Sequence, residues 1–508
     1  MASPSFNIRD HGAVGDGIAL DSPAINAAIN AAADAGGGTV VFPAGTYLSF
    51  SVRLRSHITL HLESGATLLA ATPAADFGSY DPILPNRWGD ELQYQDFGHS
   101  HWRNSLIWGE DLTDIAITGL GLIDGLGLKR HANYPHVTMA TGPNGTAASG
   151  SAPRPAPSAA PSLTQGNKAI ALKNCRNVIL RDFSLHRGGH FALLATGVDD
   201  LAITGLTLDT NRDGLDIDGC RRVTITDCTV NTPNDDAIVL KTSYALGELR
   251  PCEDITIRDC HVSGFDLGTV LDGTFGRTTE RSPDRDGPTG RIKIGTESNG
   301  DFRRITIDNC TFRRSRGLAL ETVDGATIED VTASNLTMQE VTNAPIFLRI
   351  GNRARGPEGT PIGQLRRVVI RDITADDVDG RFPIILAGLP GHPIEDVTLA
   401  NIRVTSRGGI TMADVAAQAD THVNAFFLRG DEPGVTGPRD PFTVPERERG
   451  YPEPSMFGLL PASALYARHV RDLNLRNVTV TINHPDERPP VVLDDAPSVT
   501  FVGGNLTP

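Results

Sequence analysis

Three carboxylates recur at one phase of a short repeat in the stretch Leu201–Lys241, LAITGLTLDTNRDGLDIDGCRRVTITDCTVNTPNDDAIVLK. Asp213 lies in its first turn, and Asp235 and Asp236 follow 22 and 23 residues later. In a chain wound as a parallel solenoid, residues one period apart become neighbours on strands stacked about 4.8 Å apart. Carboxyl groups that close oppose each other's ionisation, so one keeps its proton near neutral pH while another stays charged. Hydrolysis of a glycosidic bond needs that division into acid and base. Asp213, Asp235 and Asp236 are therefore the candidate catalytic residues. His190 precedes Asp213 by the same 23 residues and extends the column as a candidate substrate ligand. Lys241, five residues after Asp236 on the same coil, is placed to point along the site. Asp216 and Asp218 alternate with Leu215 and Ile217, so on a strand they share the face opposite the apolar pair, a place that suits structure and catalysis equally.

The elements that must position these groups are short strands. Runs such as VIL at Val178, LAI at Leu201 and VTI at Val223 recur at spacings of 23 and 22 residues, and similar runs continue to VTF at Val499. This pattern predicts an all-β, single-stranded, right-handed parallel β-helix. A solenoid core grows by adding coils, so 508 residues need not divide, and one domain over 1–508 is expected. Hydrophobic residues at 39%, aromatics at 6% and 53 glycines suit a narrow interior of Val, Ile, Leu and Ala with glycine at the corners. Asp21-Ser22 before Pro23, with Ile25 and Ile29 on one face and Gly36-Gly37-Gly38 as a stop, predicts a helix near 22–35. This helix caps the solenoid end within an N-terminal cap of about 1–40. Wider gaps between strands predict inserted loops at about 81–102, 125–168, 260–290 and 411–467. The first is aromatic and polar, suited both to stacking on sugars and to packing on itself. Residues 141–163 are rich in Pro, Ala, Ser and Gly and read as an excursion, the 260–290 segment adds an extra coil, and the last, with Phe426, Phe427, Tyr451 and Phe457, is long enough to wall a cleft. The six cysteines fall on the repeat in two inward ladders and are expected as buried thiols.

A formal charge of −15, from 46 Lys and Arg against 61 Asp and Glu, argues against nucleic acid or an anionic membrane as partner. A polysaccharide or oligosaccharide is the expected partner, and an acidic one requires a local basic pocket. No apolar run approaches a membrane span, and no signal-peptide pattern opens the chain. A trimmed export signal, and hence a secreted or periplasmic location, is the expectation, with a cytoplasmic one left open.

NRDG at Asn211–Gly214, NDD at Asn234–Asp236, the opening GAVGDG at Gly12–Gly17 and the run GGG-x-V-x-F-P-x-G-x-Y at Gly36–Tyr47 resemble the polygalacturonase family of pectin-degrading glycoside hydrolases. The resemblance covers about the first half of the chain. It implies hydrolysis with inversion, with Asp235 as general acid and Asp213 with Asp236 holding and deprotonating the attacking water. Asn211, inside the first motif, joins the candidate substrate ligands. The family patterns are Asn-Thr-Asp-Gly and Gly-Asp-Asp, so this chain departs at Arg212 and Asn234. Thr289 stands where the family's Gly-His-Gly has its histidine. The family's Arg-Ile-Lys, which grips a uronate carboxylate, is spelled by Arg291-Ile292-Lys293, but strand order aligns it with Arg316–Glu321, where Ala319 and Glu321 replace the cations. Arg291, Lys293 and Glu321 are accordingly all candidate substrate ligands. Arg349, Arg353 and Arg355 form either a cationic rim or a solvated turn.

Three function classes follow: a pectin-type hydrolase, acting on a uronate or on a neutral, rhamnose-type linkage; a polysaccharide lyase on the same fold; and a non-catalytic β-helix. The lyase would want Ca²⁺ and a basic residue, and no Arg or Lys shares the phase of the three aspartates. No cofactor and no metal are expected.

Overall fold

The computed structural model describes residues 4–507 except 87, 89–91, 96, 131–137, 140–163 and 425–436. The Pro/Ala/Ser/Gly-rich stretch and Phe426-Phe427 lie outside the described residues.

The strands stack as a parallel β-helix. Among the described residues, one parallel sheet has 12 strands, from Val52–Arg53 to Val491–Asp494, one strand per coil. The six that frame the site are β1 (Lys168–Lys173), β2 (Phe191–Thr196), β3 (Asp213–Asp218), β4 (Ile238–Thr242), β5 (Ile292–Ser298) and β6 (Leu318–Thr322). A second set of 23 strands runs as two ladders per coil, which fuse in the later coils into strands such as Gln364–Val378. Register makes the inside and outside of the 12-stranded sheet explicit. Ile170, Leu193, Leu215, Ile238, Ile292 and Leu318 form one column, all buried in the core. One residue further along, Ala171, Leu194, Asp216, Val239, Lys293 and Ala319 form the outer column. The period of two thus turns one continuous repeat into a dry core and a chemical face.

Corners between strands are made by Asp, Asn and Arg in the left-handed region, where short polar side chains are tolerated. Stacking aligns these corners into charge ladders: Arg222 bridges Asp200, Arg304 bridges Asp254 and Arg367 bridges Asp330. Each such surface pair contributes at most about 1 kcal/mol. The helix α1 (Ser22–Asp34) buries Ile25, Ala28, Ile29 and Ala32 over the first coils, as expected of a cap. Asp21 precedes it but makes no side-chain cap; its carboxylate accepts from the Val14 and Gly15 N–H groups instead.

Two insertions cover the outer face on either side of β3 to β5. Trp102 packs with Ala171, Phe191 and Leu194 at one end, and Met456, Phe457 and Leu460 pack with Ala319 and Phe347 at the other. Arg349 fastens the second insertion, donating to the carbonyls of Ala387, Gly388, Glu446 and Arg447. The segment 260–290 does not add a coil, contrary to the sequence expectation. β5 pairs directly with β4, and His261–Ser263 continues an existing ladder, so the remaining residues form a loop.

All six cysteines are buried and free. Burial pushes the Cys175 thiol up to about 11 and the Cys252 thiol up to about 12. A thiol reagent should therefore modify none of them in the native protein and all six after denaturation; fewer than six on unfolding without reductant would reveal a disulfide.

Candidate functional site

β3 begins at Asp213, and the next coil delivers Asp235 and Asp236 just before β4. The Gly214 N–H donates to the Asp236 carbonyl at 3.0 Å, locking the two coils in phase. A Cβ at Gly214 would sit 2.4 Å from the Ala237 carbonyl oxygen, so glycine after Asp213 is a steric requirement of that stacking. Oxygens of Asp213, Asp235 and Asp236 approach within 4.8 Å of one another, as the spacing predicted. Asp213 and Asp236 are buried, and the Asp235 side chain keeps 20% exposure.

The trio is surrounded by cations, which corrects the expectation that none shares its phase. Arg291 Nε and Lys293 Nζ each lie 2.7 Å from the Asp236 carboxylate. Arg212 pairs with Asp235 and also donates to the Asn234 carbonyl. Lys241 Nζ lies 3.1 Å from Asp213, 2.6 Å from Asp216 and 2.8 Å from His99 Nε2, which engages its three protons. These pairings set the charges. Against the upward push of burial, Lys293 and Arg291 hold Asp236 ionised far below the usual carboxylate range. Burial likewise pushes Asp235 up, but Arg212 outweighs it and the carboxyl lies below its ordinary value. Asp213 is pushed well above its ordinary value by burial and by the charge of Asp235, with Lys241 opposing. Of the three carboxyls, Asp213 therefore has the greatest hold on a proton. The sequence reading placed it on Asp235 by crowding alone, because the Arg212 partnership is invisible in spacing.

The substrate-ligand candidates scatter. Asn211 is exposed on the rim, accepting from the Asn234 side-chain amide. His190 misses the column by one residue: register places Phe191 opposite Asp213, and the His190 ring stacks on Phe191 at 4.2 Å. Burial, then the Arg212 charge, holds its imidazole neutral. Lys241 does not point along an open cleft; it is buried and tied to Asp213, Asp216 and His99. Arg291 and Lys293 face the trio rather than solvent, and Arg291 also makes a two-pronged contact with Glu453. Glu321 is fully buried, 3.9 Å from Arg291 and 4.0 Å from Lys293, with neither oxygen hydrogen-bonded. It cannot meet a sugar directly, and it sits behind the cation pair instead. Lys293 pairs with Ala319 across β5 and β6, so Arg291-Ile292-Lys293 and Leu318-Ala319-Leu320 lie on successive coils. Arg353 and Arg355 form neither rim nor solvated turn: each is buried, on Asp324 and Glu297 respectively. In the aromatic region Tyr94 packs edge to face on Trp88 and on Tyr244 from a later coil, and Trp88 lies tilted against Tyr244. Tyr451, 37% exposed, carries its ring over Lys293 at 5.8 Å and its hydroxyl 3.4 Å from Thr296. His99, Glu297 and Glu453 complete the network and were missed, because they come from loops or strand ends without a repeat phase.

A family profile described as "Rhamnogalacturonase A/epimerase, pectate lyase-like" matches residues 5–74. A probable polygalacturonase of Vitis vinifera is 24% identical over 425 residues, 79% of this chain and 74% of the relative. A mannuronan C5-epimerase of Azotobacter vinelandii is 64% identical over 42 residues, 8% of this chain and 3% of its own length. Among solved structures, the family 28 exopolygalacturonase of Yersinia enterocolitica superposes with a TM-score of 0.66 at 18% identity, over 99% of this chain and 79% of that one. At that identity the likeness is one of fold. The chain shares the parallel β-helix fold of these proteins and is similar in sequence to a polygalacturonase. No helix among the described residues is long and apolar enough to cross a membrane.

The buried Glu321 gives the site a pH signature. Burial pushes its carboxyl up to about 8 from an ordinary 4.5, with Lys293 and Arg291 opposing. Between those values the folded protein keeps a proton that the unfolded chain has lost, so this contribution is present below pH 4.5 and is lost as pH rises through 8. Glu321→Gln should melt with the wild type at pH 4 and several degrees above it at pH 8. Parallel melting temperatures at both values would show Glu321 to be ionised in the fold.

Proposed function

We propose that this protein is a glycoside hydrolase of a pectin-type polysaccharide, cleaving by acid/base catalysis with inversion at a linkage whose reacting sugar is neutral. One observation carries the reading: Asp236 is clamped by two cations, while beside it Asp213 is pushed up by burial and Asp235 is held down by Arg212, so the two differ in their hold on a proton. Two neighbouring carboxyls that differ in their hold on a proton supply a base for water and an acid for the leaving oxygen, and the fixed anion anchors the water. Asp235, the most exposed of the three, is the member that reaches the glycosidic oxygen; Asp213 and Asp236 hold the water. Their closeness alone does not choose between inversion and retention, since inverting carboxyls usually stand about 6.5–9.5 Å apart and retaining ones about 5–5.5 Å apart. A third carboxylate, unnecessary for a covalent intermediate, favours an anchored water and hence inversion.

The reacting sugar is read as neutral because the cations that would hold a uronate there already have partners. Lys241 is engaged by Asp213 and Asp216, Lys293 by Asp236, and Arg291 by Asp236 and Glu453. A lyase is less well served, for a lysine base must be neutral. Burial favours that form, but Asp213 and Asp216 around Lys241, and Asp236 beside Lys293, outweigh it and raise both ammonium groups.

Digestion of rhamnose-containing pectic backbones should release reducing ends without the ultraviolet absorbance of unsaturated products, and unsubstituted polygalacturonate should be cut slowly or not at all. Rapid cleavage of polygalacturonate would return the carboxylate-gripping role to Arg291 and Lys293, and unsaturated products would select the lyase. Asp235→Asn should fold normally and lose turnover by about 10²–10⁴-fold, as for a missing general acid. NMR of the first-formed product should show the inverted anomer; the retained one would overturn the mechanism.

A further inference from the structure

Arg212 differs from every other cation of the site. Its side chain is 14% exposed, whereas Lys241, Arg291, Lys293, Arg353 and Arg355 keep 7% or less. Its partner Asp235 is likewise the most exposed of the three aspartates, at 20% against 5% for Asp213 and 3% for Asp236. Asp236 is clamped from two sides and Lys241 has three partners, so those pairs cannot open without leaving a buried charge uncompensated, a change that costs several kcal/mol. The Arg212–Asp235 pair is the most exposed of these and rests on a single guanidinium nitrogen, so an incoming carboxylate can replace Asp235 and take the planar fork with two parallel N–H bonds. It also stands at the departure from Asn-Thr-Asp-Gly, where a threonine has no charge to offer.

We infer that Arg212 is the specificity-determining residue of the leaving-group side: it binds the carboxylate of a uronic acid there, and in turning to it leaves Asp235 without its cation and free to act as the acid. This rests on the hydrolase reading and names the substrate further, as a neutral sugar glycosidically linked to a uronic acid. The direction of the proton follows from the neighbours. With Arg212 turned away, Asp235 has lost its cation while Lys241 remains 3.1 Å from Asp213, so Asp235 holds the proton and Asp213 the negative charge. The balance then closes. Asp235 gives its proton to the leaving oxygen as that C–O bond breaks. Water forms the new bond to the anomeric carbon and yields a proton to Asp213. When the uronate product leaves, Asp213 is protonated, Asp235 is charged, and Arg212 returns to it without any exchange with bulk solvent.

The test is a matched pair of oligosaccharides, one ending in a neutral sugar linked to a uronic acid, the other with that carboxylate reduced to the alcohol. Wild-type kcat/KM should favour the acidic member by about 10–100-fold, the value of a hydrogen bond to a charged group. Arg212→Gln should bring the ratio near one, and Arg212→Lys, which keeps charge without the planar fork, should fall between. In Arg212→Gln the loss of the cation raises the Asp235 carboxyl, so the alkaline limb of the pH profile moves to higher pH. A wild type that does not distinguish the pair, or a variant that keeps the wild-type ratio, overturns the inference while leaving the hydrolase reading intact. Calorimetric binding of both members separates the two ideas: an Arg212-dependent preference in binding without any cleavage upholds the contact and sinks the hydrolase.

Discussion

Coil stacking forces like charges together, and most of this site is the consequence of compensating them. Strands about 4.8 Å apart leave Asp213, Asp235 and Asp236 no room to avoid one another, and burial removes the water that would screen them. The protein answers with cations in unequal numbers. Asp236 receives two, Asp235 one, and Asp213 a share of a lysine that also serves Asp216. That inequality pushes the three carboxyls apart in their hold on a proton, so their differences come from the side chains around them and not from the aspartates themselves.

The same layer ties the insertions to the chemistry. Arg291 grips Asp236 with one nitrogen and Glu453 with the other two, so the loop that walls the later coils is part of the charge balance of Asp236. His99, from the insertion at the opposite end, completes the set of partners around Lys241. The solenoid supplies phase and spacing, and its loops supply the counter-charges. A β-helix of this kind diversifies by changing loops without disturbing the ladder of Ile and Leu beneath.

The sequence made the repeat, the cap and the meeting of the three aspartates legible, because each depends on local periodicity. Errors began where a side chain's neighbour comes from a distant segment. His190 has the right spacing but the wrong residue in register, since the turn before β2 shifts the pairing to Phe191. Glu321 has the outward parity of a substrate ligand, yet the insertion carrying Glu453 covers its strand, and parity says nothing about what lies on top. Arg353 and Arg355 look like a surface cluster in the chain and are buried because Asp324 and Glu297 are there to receive them. Arg212 was visible only as a departure from a motif; its effect on Asp235 needed the guanidinium's position.

A site held by saturated ion pairs is rigid, which suits stabilisation of charge that develops in a transition state. Rigidity has a cost for proton traffic, because a carboxylate fixed by a cation cannot also donate. In the proposed cycle Asp236 stays an anion throughout, so it tolerates a double clamp. Asp213 and Asp235 both change state: Asp213 shares a lysine that is divided among several partners, and Asp235 alone is paired with a cation that reaches solvent. The pair that a ligand must open is thus the exposed one, and the pairs that stay closed are buried.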